Sequence, residues 1–101
     1  MPASSLSQRQ ARVFVGMCDH YGFSWDTTPN TVRITKSFTP GDKNALRLCN
    51  MLYGTLMAFA PLRAKSVQGT DGQAALDSGM FQVSKTGATG GPFLKALAAL
   101  R

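Results

Sequence analysis

Residues 31–61 read TVRITKSFTPGDKNALRLCNMLYGTLMAFAP, and a change of period inside this stretch decides the fold. From Thr31 to Phe38 the pattern alternates, with Val32 and Ile34 on one side and Thr31, Arg33 and Thr35 on the other, the two-residue period of a half-buried strand. Thr39-Pro40-Gly41-Asp42 then reads as a helix start. Thr39 serves as N-cap, Pro40 takes the first helical position, and Asp42 places a carboxylate beside the positive end of the helix dipole. Beyond it the period becomes helical. Ala45, Leu48, Cys49, Leu52, Leu56 and Phe59 form a core stripe, Lys43, Arg47, Asn50 and Gly54 fall opposite, and Pro61 ends the element.

Upstream, Phe23 to Thr27 forms the other arm of a β-hairpin that turns at Pro29-Asn30, with Trp25 packing inward. Before it, Ser5-Leu6-Ser7-Gln8 reads as a capping box. Ala11, Phe14, Val15, Cys18 and Tyr21 recur at three- and four-residue steps until Gly22 stops the helix. Downstream, from Ala64, short strand-like pieces are broken by Thr70-Asp71-Gly72 and Asp77-Ser78-Gly79, good turn sequences that predict a second hairpin. Its better strand, Met80 to Lys85, alternates Phe81 and Val83 against Gln82 and Ser84. A loop, Thr86 to Gly91, leads to Pro92 and a short helix with Phe93, Leu94, Leu97 and Leu100 on its apolar side. The order α-ββ-α-ββ-α predicts the α+β class: a single domain over residues 1–101, with an antiparallel sheet of about four strands and helices packed on one face.

With 44% of its 101 residues hydrophobic, the chain supports one core, and glycine, at 10, shows no period. Collagen-like, coiled-coil and largely disordered chains are excluded. The weakly charged stretch from Leu48 to Leu62 is interrupted by Asn50, Gly54 and Thr55 and falls short of the roughly 20 apolar residues of a membrane span, so no membrane partner is expected. Arg9 and Arg12 among Ser4, Ser5 and Ser7, with no acid before Asp19, superficially resemble an organellar transit segment, but the same residues make a capped first helix. Cys18 and Cys49 sit inside helical apolar patterns as small hydrophobes, which fits a reducing, cytoplasmic compartment.

No pattern of catalytic residues is complete. Cys18, Asp19 and His20 are adjacent and diverge on a helix, and His20 is the only histidine. Closely spaced Cys or His pairs for zinc are missing, and all five acids are Asp, three of them in helix-start or turn sequences. The Gly87 to Gly91 loop, flanked by Lys85 and Lys95, could offer backbone N–H groups to an anion but lacks a full phosphate-loop pattern. The sequence therefore predicts a protein that is not an enzyme and has no cofactor or metal.

What stands out is charge: 11 Lys and Arg against 5 acids give +6 on a small domain, enough to neutralise several phosphates. Arg9 and Arg12 lie on the polar side of the first helix, Arg33 and Lys36 on the first hairpin, Lys43 and Arg47 on the second helix, Arg63 and Lys65 just after it, and Lys85 on the last strand. These nine residues are the expected nucleic-acid-binding set, for DNA or RNA. Because the aromatic residues alternate toward the core, the expected contact is with the phosphate backbone and carries little sequence specificity. The alternative is a protein-interaction module, such as an inhibitor, adaptor or assembly subunit, that binds an acidic protein or forms a homo-oligomer. Its five methionines suit an adaptable interface, and its economy of length resembles that of small viral and phage proteins.

Overall fold

The structure of the chain, a computed structural model, describes residues 6–28, 31–59, 67–69, 72–86 and 91–100. Helix α1, Leu6–Tyr21, buries Ala11, Phe14 and Cys18 at helical spacing. Gly22, at φ 78°, terminates it. The Phe23 N–H donates back to the Cys18 carbonyl at 2.8 Å, a Schellman closure that turns the buried Phe23 ring under the helix. The proposed cap residue Ser5 lies outside the described residues.

Strands β1, Ser24–Thr28, and β2, Thr31–Ser37, pair antiparallel with Thr28 opposite Thr31. Register places Trp25, Ile34 and Val83 in one row, on the side where Val32, Ile34, Phe81 and Val83 are buried under the helices. The opposite row, with Ser24, Asp26, Arg33, Thr35 and Gln82, is the open polar face.

The segment after β2 departs from the expected helix start. Thr39-Pro40-Gly41-Asp42 closes as a turn, with the Asp42 N–H donating to the Thr39 carbonyl at 2.9 Å and Gly41 at φ 86°. Proline at the second position and a left-handed glycine at the third are the type II signature. The cap moves to Asp42, whose carboxylate accepts from the Asn44 N–H at 2.9 Å, and helix α2 runs Asn44–Phe59. It buries Ala45, Cys49, Leu52 and Leu56, as the stripe predicts.

The later half also differs from expectation. A three-residue strand β3, Val67–Gly69, is followed by a helix, α3, Gly72–Ser78, and only then by β4, Met80–Thr86. Asp77-Ser78-Gly79 is thus the end of a helix rather than a hairpin turn: the Gly79 N–H donates to the Ala75 carbonyl at 2.7 Å, and Gly79 takes φ 80°. β4 pairs antiparallel with β2 on one side and with the short β3 on the other, giving the strand order β1-β2-β4-β3. Helix α4, Gly91–Ala98, buries Phe93, Leu94 and Leu97, whereas Leu100 lies beyond its end and is 43% exposed. The result is a small α+β domain with an antiparallel sheet and helices on one face.

The aromatic contacts and the path of the chain through the sheet fix how the helices run. At one end Phe93 of α4 meets Phe14 of α1 edge-on (5.7 Å, 83°) and Phe59 at the C-terminus of α2 (5.9 Å). At the other end α1 turns at Gly22 into β1, β2 returns antiparallel to β1 with Lys36 reaching Gly22, and the turn at Thr39–Asp42 reverses the chain into α2, so the end of α1 and the start of α2 share that end. Helices α1 and α2 therefore run antiparallel over the sheet.

Candidate nucleic-acid interface

The nine predicted cations do not form one patch; the fold sorts them into groups. Arg9 and Arg12 are exposed on the N-terminal half of α1, three residues apart and so on neighbouring positions of its solvent side. Lys43 and Arg47 are exposed at the start of α2, four apart on its solvent side. Among the described residues none of these four is engaged in an ion pair. Since the helices are antiparallel, the two pairs stand at opposite ends of the helix layer.

Arg33 is on the other side of the molecule. Its Nη2 donates to Gln82 Oε1 at 2.9 Å, and Asp26 is its direct cross-strand neighbour, so its charge is locally balanced. The hollow beside it is lined by Ser24, Trp25, Asp26 and Thr35 and holds no second cation.

Lys36 leaves the predicted set for a different reason. Three residues after Arg33, it belongs to the opposite row of the strand, and its ammonium sits 5.0 Å from the Phe38 ring centroid and 5.8 Å from that of Phe23. It lies 3.1 Å from where a Gly22 side chain would begin, at the negative end of the α1 dipole. Lys36 is a half-buried structural cation. Lys85 pairs in register with Val32, in the row of Phe81 and Val83 rather than that of Arg33. Arg63 and Lys65 lie outside the described residues, as do positions 87–90 of the glycine loop. Lys95, which the sequence places only beside that loop, is exposed on α4; its position opposite Phe93, Leu94 and Leu97 could have marked it.

The thiols are shielded. Burial, aided by the Asp19 charge, pushes the Cys18 pKa up to about 12; burial pushes that of Cys49 up to about 11 against the opposing influence of Lys36. A thiolate is the nucleophile and metal ligand, so neither sulfur is poised for that chemistry near neutral pH. His20 is exposed at the end of α1, its ring edge-on to Tyr21 at 4.6 Å. Among the described residues no group of three or more His, Cys or acidic side chains could hold a metal ion, and no helix is long and apolar enough to cross a membrane.

No protein-family model matches this chain, and no curated protein or solved structure matches it either.

Proposed function

We propose that this domain binds nucleic acid through its phosphate backbone, with little sequence specificity, using Arg9, Arg12, Lys43 and Arg47 on the outer side of the helix layer. One observation carries this reading: four exposed cations in two pairs, on packed helices, without ion-pair partners among the described residues. Such groups release condensed counterions when they meet phosphates, so affinity falls steeply with salt. Four contacts on duplex DNA correspond to a slope of about −3.6 in log affinity against log salt, or roughly a 150-fold loss between 50 and 200 mM. The test is fluorescence anisotropy at both salt concentrations with the wild type and with Lys43→Ala/Arg47→Ala. The double variant should bind all sequences more weakly and have a slope smaller by about 2. An unchanged slope in that variant would remove the α2 pair from the interface.

A specific observation also favours a second reading as a protein-interaction module. Leu6 and Val13, seven residues apart on one side of α1, are 63% and 52% exposed. No binding to any nucleic acid at 50 mM salt, together with a stable dimer by light scattering, would favour that reading.

A further inference from the structure

We infer that the outer edge of β1 is an interaction surface for a second copy of this chain, and that the Asp26 carboxylate holds it closed. Of the two outer strands of the sheet, β3 is three residues long and β1 is five. An outer strand carries a row of backbone groups that can pair with another chain. Register identifies them. The Phe38 N–H donates to the Gly79 carbonyl at 2.6 Å, one step beyond the pair Ser37–Met80, so Lys36, Ile34 and Val32 turn their backbone groups toward β4. Thr35, Arg33 and Thr31 therefore turn theirs toward β1, where Ser24, Asp26 and Thr28 stand opposite. The N–H and C=O of Trp25 and Thr27 point outward.

One of these outward donors is already taken: the Asp26 carboxylate accepts from the Thr27 N–H at 2.8 Å. Antiparallel pairing of two β1 strands about a two-fold axis matches their outward groups when Trp25 opposes Thr27 of the second copy, which sets the axis on Asp26. An axis on Trp25 would bring Thr27 to Phe23, whose N–H is committed to the Cys18 carbonyl at 2.8 Å. An axis on Thr27 would bring Trp25 to Pro29, which has no N–H. With the axis on Asp26, the two Asp26 residues form a non-hydrogen-bonded pair, with Cα atoms about 4.5 Å apart and both side chains on the exposed face. Like charges directly opposed across strands repel. Asp26 thus blocks self-pairing twice, by occupying a donor that the joined ladder needs and by setting its own charge against itself. Removing this acid raises the +6 charge of the chain by one, which by itself favours separate chains. A gain in self-association on its removal therefore runs against the overall charge and reports the edge.

The experiment compares the wild type, Asp26→Thr, Asp26→Asn, Thr27→Pro and Asp26→Thr/Thr27→Pro by static light scattering and sedimentation equilibrium. Concentrations run up to about 1 mM, where contacts made by a few hydrogen bonds register. Thermal melts establish that each variant is folded; proline suits position 27 because that N–H faces away from β2. Asp26→Thr should self-associate at least ten-fold more tightly than the wild type, and the added Thr27→Pro should return it to wild-type behaviour. Should Asp26→Thr fail to fold, Asp26→Asn takes its place, since it removes the opposed charges: association tighter by three-fold or more supports the inference, and a smaller change overturns it. Asp26→Thr associating no more tightly than the wild type would overturn it. So would an association that Thr27→Pro leaves intact, which would run through another surface. A wild type already joined through this edge, seen as a dimer that Thr27→Pro alone dissociates, would show that Asp26 does not hold it closed.

Discussion

Cys18 and Cys49 show how burial alone settles the chemistry of a residue. Both have no exposed surface, and their pKa values are pushed from an ordinary 9.0 to about 12 and about 11. The folded chain thus keeps protons that the unfolded chain gives up above pH 9. By linkage, the stability these thiols contribute is fully present below pH 9 and is lost as pH rises toward 11 and 12. The expected result is a urea midpoint that is flat from pH 7 to 8.5 and falls by pH 10.5, with alanine at both positions flattening the fall. A thiol-reactive probe at pH 8 should label the native protein at least a hundred-fold more slowly than the urea-unfolded chain. Rapid labelling of the native protein would contradict the burial. Lys36 makes the complementary point about charge. A formal count groups it with Arg33, yet the two stand three apart in a strand, and strand parity sends them to opposite faces. Read with that parity, the sequence already separates them.

At the scale of elements, what the sequence made legible were the long periodic segments. Helices α1 and α2, the first hairpin and β4 follow directly from three-to-four and two-residue spacing, because burial on one face imposes that spacing. Helix α3 was hidden by its length and its ends. Seven residues give barely two turns, and Asp, Ser and Gly at its C-terminus serve equally as a turn and as a helix stop. The same ambiguity moved the α2 cap from Thr39 to Asp42, since Pro-Gly favours a type II turn as well as a helix start. The candidate interface was half legible for a related reason. Exposure of Arg9, Arg12, Lys43 and Arg47 follows from helical spacing, but their distribution between two ends depends on antiparallel helix packing, which no local pattern encodes.

Gly79 tests the junction between α3 and β4. A Cβ there would lie 2.6 Å from the Phe38 carbonyl oxygen and 3.2 Å from the Pro40 ring, and the backbone already stands at φ 80°. The Phe38 N–H donates to the Gly79 carbonyl at 2.6 Å, so the position also ties the end of β2 to this junction. Gly79→Ala should therefore cost more than about 2 kcal/mol, the left-handed penalty plus a clash with backbone that cannot swing away. Thermal denaturation measures it. A loss below 1 kcal/mol would mean that the junction relaxes freely and that the close approach is not a constraint of the fold.

For the whole molecule, the +6 charge matters less as a total than in how the two faces divide it. The helix layer carries Arg9, Arg12, Lys43, Arg47 and Lys95 exposed on its outer side, whereas the described open sheet face carries Arg33 set against Asp26. A polyanion approaching the sheet meets a cation already bonded to Gln82 and beside a carboxylate; one approaching the helices meets these five cations without such partners among the described residues. Binding should therefore be one-sided. Arg33→Ala should change nucleic-acid affinity at 50 mM salt less than two-fold and leave the salt slope unaltered. Were Arg33 a phosphate contact, its removal would lower the slope by about 0.9 and shrink the affinity ratio between 50 and 200 mM roughly 3.5-fold. Anisotropy titrations at both salt concentrations resolve that difference, and a slope reduced by one contact would place the ligand on the sheet and refute the helix-layer assignment.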